Sequence, residues 1–284
     1  MTSKDAMTRR RKRLLLGKSG IAWLIAAVYL FPVYWMINTS LKTSKDMFAT
    51  PPQIIPASLH TGSYEAVFSD KYGIPQAFGN SLIIAGSVLV LTLLVAVPSA
   101  YAVARLRGRT TTSMMIMLTV VQLLPAIAIS VPLFVMFRKL ELTNTFISVI
   151  VADLSVTLPF AVILLRPYFK LFPYEVEEAA QLDGLSRVGT IVRIIIPTIR
   201  PGLIMIGSFA FLMAWGEFTF ALTLTTEQTI QPLTIALNRL IGQYGTNWND
   251  LMAVATVIAA PVLIIFVLLQ RYIVAGLAGG ATKG

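Results

Sequence analysis

Residues 171–197 read LFPYEVEEAAQLDGLSRVGTIVRIIIP and connect two long apolar stretches of the chain. Pro173 marks a helix start. The first amides of a helix have no partner within the helix, so a proline there loses no hydrogen bond. Three glutamates follow in the first turns, where the helix dipole favours anions: Glu175, Glu177 and Glu178. Gly184 is the natural stop, since glycine adopts the left-handed conformation that ends many helices. The segment predicts a short helix that ends at Gly184.

A second short helix is predicted beyond this glycine. The Ser186 side chain can accept a hydrogen bond from the first free amides of such a helix, and Pro197 is expected to end it. On the first helix, Ala179 and Ala180 leave a low surface that another protein can approach closely, and the glutamates offer charge to a basic partner. The segment therefore predicts an L-shaped pair of short helices that contacts another protein.

The chain around this segment is too apolar for a soluble domain. Hydrophobic residues make up 56% and charged residues 13% of the 284 positions, whereas about 25% of a soluble domain is charged. A spanning helix needs about 20 mostly apolar residues. Six stretches meet this requirement: 19–41, 72–104 (most strongly 78–103), 110–137, 142–165, 201–226 and 251–270. The predicted fold class is all-α, a polytopic membrane protein with six transmembrane helices and short cytoplasmic helices.

The third stretch is expected to be broken. Pro125 and Pro132 each remove an amide donor and bend a helix, so the break is predicted around residues 126–131. Lipid cannot satisfy a freed carbonyl, and such a break should face other helices or a polar cavity. Ordinary packing kinks are the alternative interpretation of the prolines within the spans.

The basic residues predict that both termini lie in the cytoplasm. Lys and Arg concentrate in the N-terminal tail, after the second and fourth stretches, and near the C-terminus, as the positive-inside rule requires of cytoplasmic segments. The first stretch is too long for a signal peptide and lacks a small-residue cleavage site, so we interpret it as an uncleaved helix. The expected division is a cytoplasmic basic tail (1–18), a transmembrane domain (19–272) with its loop 171–200, and a cytoplasmic C-terminal tail (273–284).

Composition also excludes several kinds of site. The chain has no cysteine and a single histidine, His60, so disulfides, thiolate nucleophiles and Cys/His metal sites are not expected. The net charge of +10 fits basic residues beside anionic membrane lipid better than nucleic-acid binding. The residues form no evident catalytic constellation, and we predict neither an enzyme nor a bound metal or cofactor.

The segment resembles the EAA loop of binding-protein-dependent ABC permeases. That pattern is Glu-Ala-Ala, three residues, Gly, nine residues, Ile, one residue, Leu and Pro. The matching residues are Glu178, Ala179, Ala180, Gly184, Ile194 and Pro197, with Ile196 in place of the usual Leu. The resemblance implies a type I importer permease whose loop, including Asp183, docks into a separate ATPase subunit. Glu178 would face a basic residue of that ATPase, which alone would hold ATP and Mg²⁺.

Weaker likenesses point to the carbohydrate branch of this family. They are 40–42 (SLK), 80–82 (NSL), 100–105 (AYAVAR) and the C-terminal residues 270–277 and 280–284. The last two look like the tail of the second permease of maltose- and trehalose-type importers, which reaches toward the ATPase dimer. The resemblance implies a heterodimer with a related permease, an ATPase pair, an extracytoplasmic sugar-binding protein, and a di- or oligosaccharide bound at the permease interface in the bacterial inner membrane.

Candidate residues for the substrate path lie within the spans. Asp153 and Glu217 are acidic and must avoid lipid, so they either line the path or make structural hydrogen bonds. Gln122 stands beside the Pro125 break. Trp215 and Phe218 flank Glu217, and their rings could stack on a sugar or simply pack in the core. In the outer loop 227–250, two aromatic residues are candidates for contact with the binding protein: Tyr244 and Trp248.

Two other function classes remain open at this stage. An ion-coupled secondary transporter would act alone and would need internal repeats and coupling carboxylates, and it leaves the EAA loop unexplained. An ABC permease for amino acids, phosphate or metal would keep the same loop. Only the weaker likenesses favour a sugar over these solutes.

Overall fold

The structure is a computed structural model. It describes the backbone of residues 3–69, 71–106, 108–242 and 245–281, and the side chains of 19–69, 71–106, 108–242 and 246–270. The tail residues 1–18 and 273–284 thus lie outside the described side chains, and the predicted division into tails and a transmembrane domain stays a prediction.

The described backbone is almost entirely helical, with one pair of two-residue strands. Its long helices are α1 (Ser3–Ser40), α4 (Ile74–Arg105), α5 (Arg109–Gln122), α6 (Ala126–Lys139), α7 (Phe146–Leu171), α11 (Arg200–Trp215) and α14 (Trp248–Ala281). The shorter elements are α2 (Ser44–Met47), α3 (Gly62–Phe68), α8 (Tyr174–Leu182), α9 (Arg187–Thr190), a π-helical turn (Ile191–Ile195), α10 (Ile196–Thr198), α12 (Thr219–Leu224), α13 (Leu233–Arg239), β1 (Ile241–Gly242) and β2 (Gly245–Thr246).

Four helices are each long and apolar enough to span a membrane: Ser19–Ser40 within α1, Ile74–Arg105, Phe146–Leu171 and Trp248–Gln270. Two pairs of consecutive helices pass the same test only when they are taken together, and each pair is bent at a short break. The bend is 92° between α5 and α6, and 84° between residues 187–198 and α11. The described residues thus contain four candidate spans, or up to six if each bent pair is one span, a range that includes the predicted number. The all-α membrane fold class is thereby confirmed.

The breaks differ in detail from those predicted. The α5–α6 break lies at residues 123–125, where Pro125 caps α6 with an extended backbone, whereas Pro132 lies inside α6 without ending it. The predicted fifth stretch, 201–226, is also wrong as one span, because α11 ends at Trp215 and a separate helix α12 follows. Glu217 lies in that gap, and its carboxylate accepts hydrogen bonds from the Phe220 amide at 2.7 Å and the Ala221 amide at 3.0 Å. Those bonds satisfy the free amides of a new helix start.

The chain divides into two compact units, residues 1–68 with 240–257, and 69–239 with 258–284. In the first unit, Asn249 ties the start of α14 to the end of α1. Its amide donates to the Thr39 carbonyl at 3.1 Å and the Lys42 carbonyl at 2.7 Å, and its oxygen accepts from Ser44 Oγ at 3.0 Å. Both N–H groups and the oxygen of this buried amide have partners, which fixes the start of α14 in this unit.

The second unit is built around α4, α7 and α11. Small residues on α4 and α7 allow close packing around a buried cluster of Ala96, Ala100, Ala161, Val162, Leu165, Phe169, Ile195, Ile199 and Ile206. At the other end of α4, the Asn80 amide donates to the carbonyls of Thr229 and Gln231, both at 3.0 Å. These bonds fasten the segment before α13 to the helix start.

Candidate functional site

The segment that resembles the EAA loop forms the two short helices that the sequence predicts. Pro173 precedes α8, which ends at Leu182. The Gly184 amide donates to the Gln181 carbonyl and the Leu185 amide to the Ala180 carbonyl, both at 3.0 Å. With Gly184 at φ +88°, this is the paired C-terminal hydrogen bonding of a Schellman motif. The predicted stop at Gly184 is confirmed.

The second helix also begins as predicted. Ser186 Oγ accepts a hydrogen bond from the Gly189 amide at 3.1 Å and caps α9. The helix ends at Thr198, one residue beyond the predicted end at Pro197, because α9 continues through a π-helical turn into α10. Pro197 lies in the last turn of this continuous helix and does not interrupt it. We call residues 173–198 the elbow.

The elbow presents a mixed charged and apolar surface. Glu178, Ala179, Asp183 and Gly184 are exposed, as is Pro197, and Ile194 is half-buried. The Leu182 side chain is 88% exposed. Val176, Val188 and Val192 are exposed on the elbow as well, and contiguous exposed apolar side chains rimmed by polar ones mark surfaces that another protein covers.

One prediction about this surface is wrong. Ala180 is buried, so only Ala179 of the two alanines contributes to a low outer surface. Helical geometry explains the difference, because consecutive residues on a helix lie about 100° apart and cannot both face outward at the centre of one face.

Glu177 holds the elbow to the membrane helices, which sequence reasoning did not predict. Its side chain is 1% exposed and forms an ion pair with Arg105. Tyr101 Oη donates to Glu177 Oε2 at 2.8 Å. Both partners lie on the last turns of α4, one helical turn apart. The i, i+4 spacing of Tyr101 and Arg105 was the available signal, but it does not identify the acid that they bind.

Arg105 extends this contact to the end of α7. Its guanidinium donates to the Phe169 carbonyl at 2.9 Å and the Phe172 carbonyl at 3.3 Å. These two carbonyls lie where α7 ends, and the Phe169 carbonyl also accepts from the Phe172 amide at 3.3 Å. A single guanidinium therefore joins α4, α7 and α8, and we call Tyr101, Arg105 and Glu177 the clamp.

The far side of the elbow is also packed against the membrane helices. Ile195 and Ile199 belong to the buried cluster of the second unit. At the start of α11, a β-carbon on Gly202 would lie 2.7 Å from the Tyr168 ring of α7, so only glycine permits this approach. The elbow is thus joined to α4, α7 and α11 by a charged contact at one end and apolar packing at the other.

The candidate substrate-path residues have more varied surroundings. Asp153 is 3% exposed, and its Oδ2 has no hydrogen-bond partner among the described residues. The Gln122 amide donates to the Val156 carbonyl of α7 at 2.6 Å. The structure thus ties Gln122 to the same helix as Asp153.

The aromatic candidates are packed. Trp215 is buried, its Nε1 donates to the Ile258 carbonyl at 3.1 Å, and its ring contacts Phe78 edge-on at 5.5 Å. Phe218 is half-buried before α12. Trp248 is 45% exposed at the start of α14, and Tyr244 lies outside the described residues. No group of three or more possible metal ligands occurs among the described residues.

Solved structures with this fold are membrane importers. The chain is similar to one chain of a bacterial ABC transporter involved in the import of the acidic polysaccharide alginate, with a TM-score of 0.76 over 96% of this chain and 98% of that one, at 20% identity. It is also similar to a chain of the MetNI methionine ABC transporter in an inward-facing conformation, with a TM-score of 0.57 over 71% of this chain and 94% of that one, at 14% identity. The fold is therefore that of an ABC importer permease.

The sequence places the chain in one family. Residues 93–279 match the binding-protein-dependent transport system inner membrane component, and the chain belongs to that family. It is 31% identical to the sulfoquinovosyl glycerol transport system permease protein of Agrobacterium fabrum, over 90% of this chain and 89% of that protein. It is 32% identical to the trehalose/maltose transport system permease protein of Thermococcus litoralis, over 96% and 98%. The chain is a multi-pass membrane transport component, which agrees with the family predicted from the EAA segment.

Proposed function

We propose that this protein is a permease subunit of a carbohydrate importer, which forms half of the path for a di- or oligosaccharide and takes its energy from a separate ATPase. The observation that carries the proposal is similarity over nearly the whole chain to permeases named for glycosides and disaccharides. A third such relative is the diacetylchitobiose uptake system permease protein of Streptomyces coelicolor, 30% identical over 96% of this chain and 100% of that protein.

The elbow is the proposed contact with the ATPase pair. Its outer surface carries an exposed carboxylate, Glu178, next to the small Ala179 and the fully exposed Leu182. A basic groove with an apolar floor would complement these residues. Because the clamp and the buried isoleucines join the elbow to three spanning helices, movement of a docked ATPase would move the inner ends of those helices as rigid bodies. ATP and Mg²⁺ would be held by the partner, and this chain would not catalyse hydrolysis.

The proposed assembly contains a second, related permease and an extracytoplasmic sugar-binding protein. A structure of the alginate transporter in complex with an alginate pentasaccharide-bound periplasmic protein has a similar chain, with a TM-score of 0.62 at 15% identity. In this proposal both termini are cytoplasmic, and the exposed Trp248 lies on the opposite side, where it would contact the binding protein together with Tyr244.

The proposed sugar site lies on the path beside Asp153, Glu217 and Gln122. The unpartnered Asp153 oxygen can accept a hydrogen bond from a sugar hydroxyl, which would offset the cost of burying it. Glu217 already caps α12 and Trp215 is packed inside this chain, so we assign both of them to holding the site in shape. Phe218 is the proposed aromatic contact.

The experiment is purification of the chain with its partner subunits, followed by ATPase measurements with binding protein and a panel of sugars. We expect hydrolysis that rises with binding protein loaded with one di- or oligosaccharide. Replacing Tyr244 and Trp248 by alanine should weaken this stimulation without lowering basal hydrolysis. Stimulation by an amino acid, phosphate or a metal ion instead would leave the permease assignment intact and refute the carbohydrate.

A further inference from the structure

A polar cavity of about 1100 Å³ lies behind the elbow. It is formed where α4 and α7, two helices long enough to span a membrane, both end, and where α5 and α8 begin. In a bilayer this is the depth of the headgroup region, on the side of the elbow. The position of the cavity relative to lipid depends only on α4 and α7 crossing the membrane, and not on the transported solute.

The cavity is strongly basic. Among the described residues, four cationic side chains line it, Arg105, Arg166, Lys170 and Arg187, against one carboxylate, Glu177. That carboxylate is already paired with Arg105. No carboxylate in the described part of the chain forms a salt bridge with the other three cations. Lys170 and Arg187 are exposed and can be solvated by water, whereas Arg166 has a buried Nε without a partner among the residues described, so an anion that enters the cavity would meet one unsatisfied and two free cations.

Hydrogen-bond donors at the cavity also lack acceptors. Arg166 Nε and Thr111 Oγ1 are buried and have no partner among the described residues, and Thr111 is 6% exposed. Thr111 lies in the first turn of α5, whose N-terminus has no side-chain cap. The cavity therefore combines three kinds of donor that lack acceptors within the described chain. They are the free amides at the positive end of the 14-residue helix α5, the Thr111 hydroxyl and the Arg166 Nε. Phosphate oxygens satisfy all of these groups at once.

An apolar groove of about 360 Å³ leads out of the cavity along α5. The two share Thr111, Thr112 and Arg166, and the groove continues over Met115, Ile116, Thr119 and Val120. Ile116 and Val120 are exposed large hydrophobic residues. A free phosphate would use only the cavity, whereas a molecule with a phosphate head and a hydrocarbon chain would fill both.

We propose that this cavity and groove bind an anionic phospholipid, with its phosphate against Arg166 and Thr111 and one acyl chain along α5. Basic pockets between spanning helices on the cytoplasmic side are suited to such headgroups. Because the cavity is bounded by the clamp and by Arg187 of α9, the bound lipid would brace the elbow against the membrane helices.

Native mass spectrometry of the transporter assembly in detergent tests the proposal, with phosphatidylglycerol and phosphatidylcholine as probes. We expect phosphatidylglycerol to be retained, and Arg166→Gln to weaken its binding about tenfold, as loss of a charged hydrogen bond implies. Arg138→Gln is the matched control, because Arg138 is an exposed arginine on α6 that does not line the cavity. It should bind phosphatidylglycerol like the unchanged protein. If the Arg166→Gln transporter does not assemble, Lys170→Gln is measured in its place. Lys170 lines the same cavity but is exposed, so this substitution leaves no cavity in the core.

A photoactivatable phosphatidylglycerol with its reactive group on the acyl chain tests the groove directly. Labelling of residues 115–120 supports the proposal. Equal retention of phosphatidylcholine, unchanged binding by Arg166→Gln, or displacement of the lipid by inorganic phosphate at similar concentration would each overturn it. Labelling only outside the groove, or protection of Arg187 by a partner subunit instead of by lipid, would overturn it as well.

Discussion

Replacing Glu177 by Gln should loosen α8 while leaving the rest of the bundle folded. The carboxylate is 1% exposed and pairs with Arg105, whose side chain is 21% exposed. Removing one partner of a fully buried pair costs about 3–5 kcal/mol. Two features lower that figure here, because Arg105 reaches solvent and the glutamine oxygen can still accept from Tyr101. We expect a local cost of about 2 kcal/mol, which corresponds to a roughly 30-fold larger open fraction of α8.

Hydrogen–deuterium exchange of peptides from Tyr174–Leu182 measures this opening. Glu178→Gln is the matched control, since it makes the same chemical change at the next residue, which is exposed. We expect fast exchange of α8 in Glu177→Gln and unchanged exchange in Glu178→Gln, with coupled uptake reduced in both. Equal exchange in Glu177→Gln and the unchanged protein would refute the clamp as the anchor of the elbow.

Three further substitutions test other parts of the structure. Gly184→Ala should lower the free energy of unfolding by about 1–2 kcal/mol, because the backbone φ at this residue is +88°. Gly86→Ala is the control and should not lower it, because Gly86 lies inside α4 with open space around it. Thermal unfolding of the two variants measures the difference. Gly202→Ala should lower the free energy of unfolding by about 1–3 kcal/mol, because the new methyl group would press on the Tyr168 ring. In a protein that already carries Tyr168→Val, Gly202→Ala should lower it clearly less, and a double-mutant cycle of unfolding measures the difference. Asp153→Asn should leave thermal stability equal or higher, because it removes a buried charge, but should lower sugar uptake in proteoliposomes; unchanged uptake would take Asp153 off the path.

The local turns of the elbow were predictable because they depend on a few neighbouring residues. A proline before α8, a glycine at φ +88° and a capping serine act through backbone geometry alone. The spans were predictable for a similar reason, since hydropathy depends on composition and length. The π-helical turn at residues 191–195 was not predictable, because no local residue preference distinguishes it from an α-helical turn.

The clamp could not be predicted from one sequence. Glu177 shares its helix with Glu175 and Glu178, and all three acids look alike until α8 is placed against Arg105, which is 72 positions earlier. Which face of an amphipathic helix packs inward is decided by its neighbours in space. The same limit applies to Ala180, whose burial follows from that packing. It applies equally to Glu217, whose hydrogen bonds form only because α11 ends at Trp215.

The central claim is that the outer surface of the elbow touches an ATPase subunit in the cytoplasm. The chain has no cysteine, so a single introduced thiol reports its own surroundings. Ala179→Cys in the assembled transporter should cross-link to the ATPase and resist a membrane-impermeant thiol reagent added from outside the cell. Ala180→Cys, one residue along and buried, should not cross-link, and it should also stay unlabelled by the external reagent. Labelling of Ala179→Cys from outside, or a transporter that works while this cysteine cross-links to no other subunit, would contradict the account.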